Sequence, residues 1–140
     1  MQNIFVYGTL LSQEIIKNLT GKSFKTSPAV LKGYKKHCVK GGDYPAIIKM
    51  KDSNTAGIVI ENVDDDSIDI LSFYEGDDYE KKFVTVLSNG QSKGVFAFVW
   101  RKSAAYLEDR EWDFQQFQEN SLEIYLNKVV PDTLKEFEGK

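Results

Sequence analysis

The sequence predicts an α+β protein whose strands form either a layer or a small barrel, with a few helices beside them. Five or six short runs rich in β-branched and aromatic residues are typical of strands. Several of these runs follow one another directly, whereas a doubly wound parallel sheet requires regular alternation of strands and helices. A length of 140 residues fits one domain, so we expect a single domain spanning residues 1–140.

The first elements have start and stop signals in the sequence. Residues 3–7 form a short apolar run typical of a buried strand, and Gly8 ends it. Ser12 can serve as the N-cap of a short helix, and Gly21 stands where that helix would stop. These signals predict a strand, a tight turn and a helix in that order.

Further strands are predicted before and after a turn cluster. Residues 30–39 indicate a second strand interrupted by Gly33, and residues 46–48 and 56–61 are separate apolar segments after the turn cluster at 41–45.

The last third of the chain predicts a hairpin and a terminal helix. Asn89-Gly90 between apolar runs predicts a hairpin whose strands cover residues 82–87 and 94–100. Residues 111–126 predict a longer helix with core contacts from Trp112, Phe117 and Leu122.

Composition excludes several classes of protein. The net charge is -3 and no basic run exceeds two residues, which argues against a nucleic-acid partner. No apolar stretch approaches the ~18 residues of a membrane span, and the amino terminus lacks the basic region of a secretion signal, so we expect a cytoplasmic protein. Cys38 is the single cysteine, and its neighbour His37 would face the other side of a strand. The pair therefore predicts neither a disulfide nor a metal site.

The turn after the first strand is one candidate for function. In Tyr7-Gly8-Thr9-Leu10, the glycine lets a ligand approach the backbone, and the following amides can point at an anion or a developing oxyanion. Many such junctions bind nothing. Tyr44 and Tyr79 can line a pocket, although aromatic residues in turns are more often simply packed.

Glu75 is the second candidate. The acidic run Asp64-Asp65-Asp66 offers caps for a helix that Gly76 would end. On that helix Glu75 follows Leu71 by one turn and falls on the apolar face, where a carboxylate is costly unless it is paired or used. Alternatively, Glu75 acts as a cap, pairs with a lysine, or lies past the helix end and points outward.

Six short segments carry a resemblance to a known family. They are Val6-Tyr7-Gly8-Thr9-Leu10, Gly33-Tyr34, Tyr44-Pro45-Ala46-Ile47, Gly57-Ile58-Val59, Leu71-Ser72-Phe73-Tyr74-Glu75-Gly76 with Tyr79, and Ala97-Phe98-Val99-Trp100. In order and spacing they resemble the gamma-glutamylcyclotransferase-like proteins, in particular the gamma-glutamylamine cyclotransferase-like branch. Departures at Leu11, Ser72 and Glu80-Lys81 concern the choice of substrate more than the fold.

The resemblance implies a small mixed-sheet β-barrel with a few flanking helices. It also implies that Tyr7, Gly8, Thr9 and Leu10 anchor the substrate and that Glu75 is the general acid/base. Tyr44 and Tyr79 lie in or beside the matching segments, and we expect them to bind substrate as well. Members of the family convert gamma-glutamyl amines or dipeptides to 5-oxoproline and a free amine without a cofactor.

The sequence thus predicts a cofactor-independent cyclotransferase of the lyase or acyltransferase type, acting on a small gamma-glutamyl molecule. We expect a monomer or weak homodimer with no metal, nucleic-acid or membrane partner. Two alternatives stay open: a non-catalytic small-ligand-binding protein of the same fold, and a lyase or transferase acting on another gamma-glutamyl compound. Glu75 favours an enzyme, because a binder of a zwitterion gains little from a buried acid.

Overall fold

The computed structural model describes residues 1–139 as a six-stranded mixed sheet with helices beside it. The strands are β1 Gln2–Val6, β2 Thr26–Val39, β3 Pro45–Val63, β4 Tyr79–Ser88, β5 Gln91–Trp100 and β6 Leu107–Glu108. The helices are α1 Gln13–Thr20, α2 Asp65–Glu75, α3 Phe114–Asn120, α4 Leu122–Ile124 and α5 Val130–Glu138, with 3₁₀ turns at Thr9–Leu11 and Ala104–Tyr106 and a π-helical turn at Tyr125–Val129. Among these residues, no helix combines the length and apolar character needed to cross a membrane.

Strand pairing closes the sheet into a barrel-like ring. β1 lies between β3, its antiparallel partner, and β5, its parallel partner. β4 joins β5 to β2 through antiparallel pairings, and β2 in turn pairs with β3. The last pairing connects the two ends of the series, while β6 adds a short edge beside β2. This arrangement confirms the predicted α+β class with a mixed sheet.

The local start and stop signals are confirmed. The Ser12 hydroxyl accepts a hydrogen bond from the Ile15 amide at the start of α1, and Gly21 ends that helix with a φ of 73°. At the start of α2, the Asp64 carboxylate accepts from the Ser67 amide. The β4–β5 hairpin turns at Asn89-Gly90, both with positive φ, as its turn type requires.

The strand β3 corrects the sequence prediction. We expected two separate apolar segments at residues 46–48 and 56–61, but Pro45–Val63 forms one strand. Lys49 and Asn54 pair with β2, and residues 50–53 between them lie at the register shift between Lys32 and Tyr34, where they have no partner on β2. Backbone pairing can continue through polar residues when a partner strand is present, so hydrophobicity did not mark this part of the strand.

The prediction of one terminal helix over residues 111–126 is also wrong, because this region is divided into several helical segments. The Asp113 side chain caps α3, which ends at Asn120, and helical structure continues to Glu138 through the π-helical turn. In that turn the Val130 amide donates to the Tyr125 carbonyl. Pro131 lacks the amide that would bond four residues back, and a widened turn accommodates this loss.

The buried residues form two clusters on the two faces of the sheet. Ile4 and Val6 of β1 join a cluster that contains residues from the helices, whereas Phe5 and Tyr7 join a cluster built from strand residues and their extensions. Successive side chains of a strand point to opposite faces. Because both faces of the sheet are covered at β1, its apolar run shows no alternation of polar and apolar residues.

Candidate active site

A cavity of about 210 Å³ lies where the turn after β1 meets the end of α2. Seven residues were predicted for the site, and six of them line this cavity: Tyr7, Gly8, Thr9, Tyr44, Glu75 and Tyr79. Leu10 does not. Its side chain is 1% exposed and packs in the core that contains the helices, so a side-chain contact of Leu10 with a ligand in this cavity is not supported.

Glu75 is the last residue of α2, one turn beyond the fully buried Leu71. Gly76 ends the helix with a φ of 87°, a conformation that other residues rarely adopt. Glu75 therefore belongs to the helix and does not lie past its end. Within residues 1–139 it takes part in no ion pair, which removes the alternative of a lysine partner.

Burial raises the pKa of the Glu75 carboxyl to about 8. The residue keeps partial exposure, since it lines an open cavity, but its carboxyl is packed among protein atoms with no cation to stabilise the charged form. The negative end of the α2 dipole acts in the same direction. A carboxyl in this state can exchange a proton near neutral pH.

Tyrosines surround this carboxyl. Burial, together with the charge of Glu75, raises the pKa of Tyr7, Tyr74, Tyr79 and Tyr125. These four hydroxyls therefore stay protonated over the ordinary pH range and can act as donors.

Three of the tyrosine hydroxyls already have partners. The Tyr7 hydroxyl donates to the Phe98 carbonyl at 2.6 Å, and the Tyr79 hydroxyl donates to the Pro45 carbonyl at 2.8 Å. Tyr74 shares a hydrogen bond of 2.8 Å with the Thr9 hydroxyl. These bonds connect the turn after β1 to β5 and to α2, and they connect β4 to β3. They fix the three rings beside Glu75.

Gly8 brings the turn against the neighbouring strand. A Cβ atom at this position would lie 2.9 Å from the Cδ and Cγ atoms of Pro45, closer than a side chain tolerates. The first hydrogen bond of the following turn runs from the Leu11 amide to the Gly8 carbonyl at 2.9 Å. The amides of Thr9 and Leu10 precede that bond and have no acceptor within their own turn.

Several lining residues were not predicted as part of the site. They are Phe5, Val6, Pro45, Tyr74, Asp78, Phe98, Tyr125 and Val129. Tyr74 is adjacent to Glu75, and Pro45 is adjacent to Tyr44, so proximity in sequence was an available signal for both. Tyr125 and Val129 come from the π-helical turn, about fifty residues after Glu75, and no local pattern connects them to it.

The histidine and cysteine lie outside this cavity. The His37 Nδ1 atom is 3.1 Å from the Glu108 carbonyl, and Cys38 is buried in the core. In the part of the chain that the structure describes, no group of three or more histidine, cysteine or acidic side chains is arranged to hold a metal ion.

A family model and a curated relative both place the chain among AIG2-like proteins. Residues 4–114 match the family described as "Gamma-glutamyl cyclotransferase, AIG2-like". AIG2-like protein D of Arabidopsis thaliana is 30% identical over 129 residues, which cover 90% of this chain and 85% of that protein.

Solved structures agree in fold. A solution structure of an Arabidopsis thaliana protein has a TM-score of 0.70 at 29% identity and covers 98% of this chain and 82% of its own. A structure titled "Gamma-glutamyl cyclotransferase" has a TM-score of 0.61 and covers 93% of this chain and 86% of its own. Its identity is 16%, so this second likeness concerns the fold alone.

Proposed function

Because the chain belongs to the gamma-glutamyl cyclotransferase, AIG2-like family, we propose that it converts a gamma-glutamyl amine or peptide to 5-oxoproline and a free amine. Glu75 is the general acid/base in this proposal, and the turn at Gly8 to Leu10 supplies backbone donors. The supporting observation is the position of the Glu75 carboxyl, unpaired and with a raised pKa, in a cavity that the same turn lines.

The reaction is an internal displacement within the substrate. The α-amino nitrogen attacks the γ-carbonyl carbon and closes a five-membered ring, and the bond from that carbon to the amine nitrogen then breaks. The attacking nitrogen enters as an ammonium group and ends as the lactam N–H, so it loses two protons. Glu75 takes these protons in turn and passes both to the leaving nitrogen, which departs as an alkylammonium, so the enzyme ends as it began. The nucleophile is tethered to its target, and the substrate itself supplies the proximity.

The raised pKa makes the first proton transfer less costly. A carboxylate with an ordinary pKa is a weak base toward an alkylammonium group. Each unit by which its pKa rises reduces the free-energy cost of that transfer by about 1.4 kcal/mol. When the substrate's ammonium approaches, its positive charge favours the ionised form of Glu75 and prepares the base.

The oxyanion requires donors that are already oriented. The amides of Thr9 and Leu10 have no acceptor within their turn. Thr9 lines the cavity, and its amide is the donor that we assign to the tetrahedral oxygen. Leu10 does not line the cavity, and its side chain is packed in the core. The substrate supplies the protons and the chain supplies the base and the backbone donor, so this scheme calls for no cofactor.

Release of 5-oxoproline from a panel of gamma-glutamyl amides and dipeptides tests the proposal. We expect stoichiometric 5-oxoproline and amine from at least one of them, with wild-type protein and not with Glu75→Gln. Turnover that survives in Glu75→Gln would assign the base to another residue. Saturable binding of the panel without any 5-oxoproline would instead identify a non-catalytic binding protein.

A further inference from the structure

The proposed chemistry depends on two elements that are far apart in the sequence. The base Glu75 is the last residue of α2, and the donor amide belongs to Thr9 in the 3₁₀ turn after β1. A donor stabilises a developing charge most when its position is held before the reaction begins. The contacts that hold this turn relative to α2 therefore bear on the rate.

A hydrogen bond between two side chains joins the turn to α2. The Tyr74 hydroxyl and the Thr9 hydroxyl are 2.8 Å apart, a typical distance for an O–H···O bond. Thr9 is 6% exposed and Tyr74 is half-buried. Burial raises the pKa of Tyr74, although the bond to Thr9 acts in the opposite direction, so the Tyr74 hydroxyl keeps its proton over the ordinary pH range. The bond can therefore form at any pH in that range.

Two other contacts hold the residues that precede Thr9. The Tyr7 hydroxyl is bonded to β5, and Gly8 packs against β3 too closely to allow a Cβ atom. Neither contact reaches the Thr9 side chain. The turn itself has three residues, and 3₁₀ hydrogen bonds have poorer geometry than those of an α-helix. The bond to Tyr74 is thus a contact that restrains the Thr9 side chain directly.

We propose that Tyr74 is a positioning residue, whose hydroxyl holds Thr9 so that the Thr9 amide stays directed at the oxygen that gains negative charge. The inference rests on the proposed function, because it concerns the donor of that reaction. A displaced donor loses most of its effect in the transition state, where the charge has developed, and little in the bound ground state. Tyr74 therefore acts on kcat through Thr9, and it exchanges no proton with the substrate.

A double-mutant cycle tests the proposal. Tyr74→Phe and Thr9→Val each remove one hydroxyl with little change in shape, and we expect kcat to fall about tenfold in each, with KM within about twofold of wild type. Both changes remove the same bond, so the double variant should lose no more than either single variant. Thr9→Ser keeps the hydroxyl and should recover most of the activity that Thr9→Val loses. Losses that multiply in the double variant would overturn the proposal.

Thr55→Val is the matched control for a general loss of stability. The Thr55 hydroxyl donates to the Tyr34 carbonyl at 3.0 Å, and the residue is 2% exposed and does not line the cavity. The change thus removes a buried threonine hydroxyl and its bond, as Thr9→Val does, but away from the reaction. It should lower stability in urea unfolding and keep the wild-type kcat. An equal fall of kcat in Thr55→Val and Thr9→Val would overturn the proposal.

The order parameter of the Thr9 amide, measured by NMR relaxation, separates this inference from the proposed function. We expect about 0.85 in wild type, as for rigid backbone, and a fall toward about 0.6 in Tyr74→Phe. If wild type releases no 5-oxoproline but the order parameter falls as expected, the cyclotransferase proposal fails and the role of Tyr74 in holding the turn stands. If wild type releases 5-oxoproline and Tyr74→Phe retains its kcat, the cyclotransferase proposal stands and this inference fails. An inactive wild type with an unchanged order parameter would overturn both.

Discussion

In the lining of the cavity we distinguish an inner end, with Glu75, Tyr7 and Tyr79, from an outer end, with Tyr125 and the exposed Asp78. The two ends differ in how their polar groups are used. At the inner end the hydroxyls of Tyr7 and Tyr79 donate to backbone carbonyls. At the outer end the Tyr125 hydroxyl has no partner within residues 1–139, and Asp78 is exposed. Hydrogen-bonded rings hold a fixed geometry, whereas unpaired groups remain available to a ligand. The hydroxyls of Tyr7 and Tyr79 are therefore committed to the fold, whereas the hydroxyl of Tyr125 is available to a ligand.

The largest effect expected at the inner end is the loss of turnover in Glu75→Gln. The amide is nearly isosteric but cannot take the ammonium proton, so we expect kcat to fall by about a hundredfold to ten-thousandfold. The measurement is 5-oxoproline release. Glu80→Gln is a suitable control, because Glu80 is exposed and does not line the cavity. A loss of only a few fold in Glu75→Gln would remove Glu75 from the base role.

The pH dependence of kcat/KM should report the same carboxyl in the free enzyme. The base form is required, and burial raises the pKa of Glu75 to about 8. Activity should therefore fall on acidification, approaching about tenfold per pH unit well below that pKa. A profile that stays flat down to about pH 4.5 in folded protein would contradict the assignment, since that limit is close to an ordinary glutamate pKa.

Glu75 should also make stability depend on pH. Between its ordinary pKa of 4.5 and about 8, the unfolded chain has lost the proton that the native protein retains. Wild-type stability therefore falls as pH rises through this window, by at most about 1.4 kcal/mol per pH unit from this group. Glu75→Gln lacks the effect, so its stability relative to wild type should increase up to about pH 8 and then level off. Urea unfolding at several pH values measures the difference, and a constant difference would argue against a buried, unpaired carboxyl.

The smallest effect compares two hydroxyl deletions. Tyr79→Phe leaves the buried Pro45 carbonyl without its donor and should reduce the free energy of unfolding by about 1–3 kcal/mol. Tyr125→Phe removes a hydroxyl with no protein partner and should stay within about 0.5 kcal/mol of wild type. Equal losses in urea unfolding would abolish the distinction between the two ends.

Local structure followed from the sequence wherever a signal and its effect lie within a few residues. Ser12 and Asp64 cap their helices, and Asn89-Gly90 turns the hairpin. Its spacing to Ile68 and Leu71 placed Glu75 on the apolar face of its helix. Caps, turns and helical periodicity are determined by neighbouring residues, and a single sequence therefore contains the information they require.

The tertiary structure decided the remainder, because it depends on partners distant in the chain. The two apolar segments of β3 form one strand because β2 pairs with residues on both sides of its polar middle. The helical region after Asp113 is divided into segments, and one of them, the π-helical turn, places Tyr125 in the lining of the cavity. The unpaired state of Glu75 and its raised pKa likewise follow from what surrounds it in three dimensions. The sequence supplied the carboxylate and its helix, and long-range packing supplied the tyrosines and the burial that make it a candidate base.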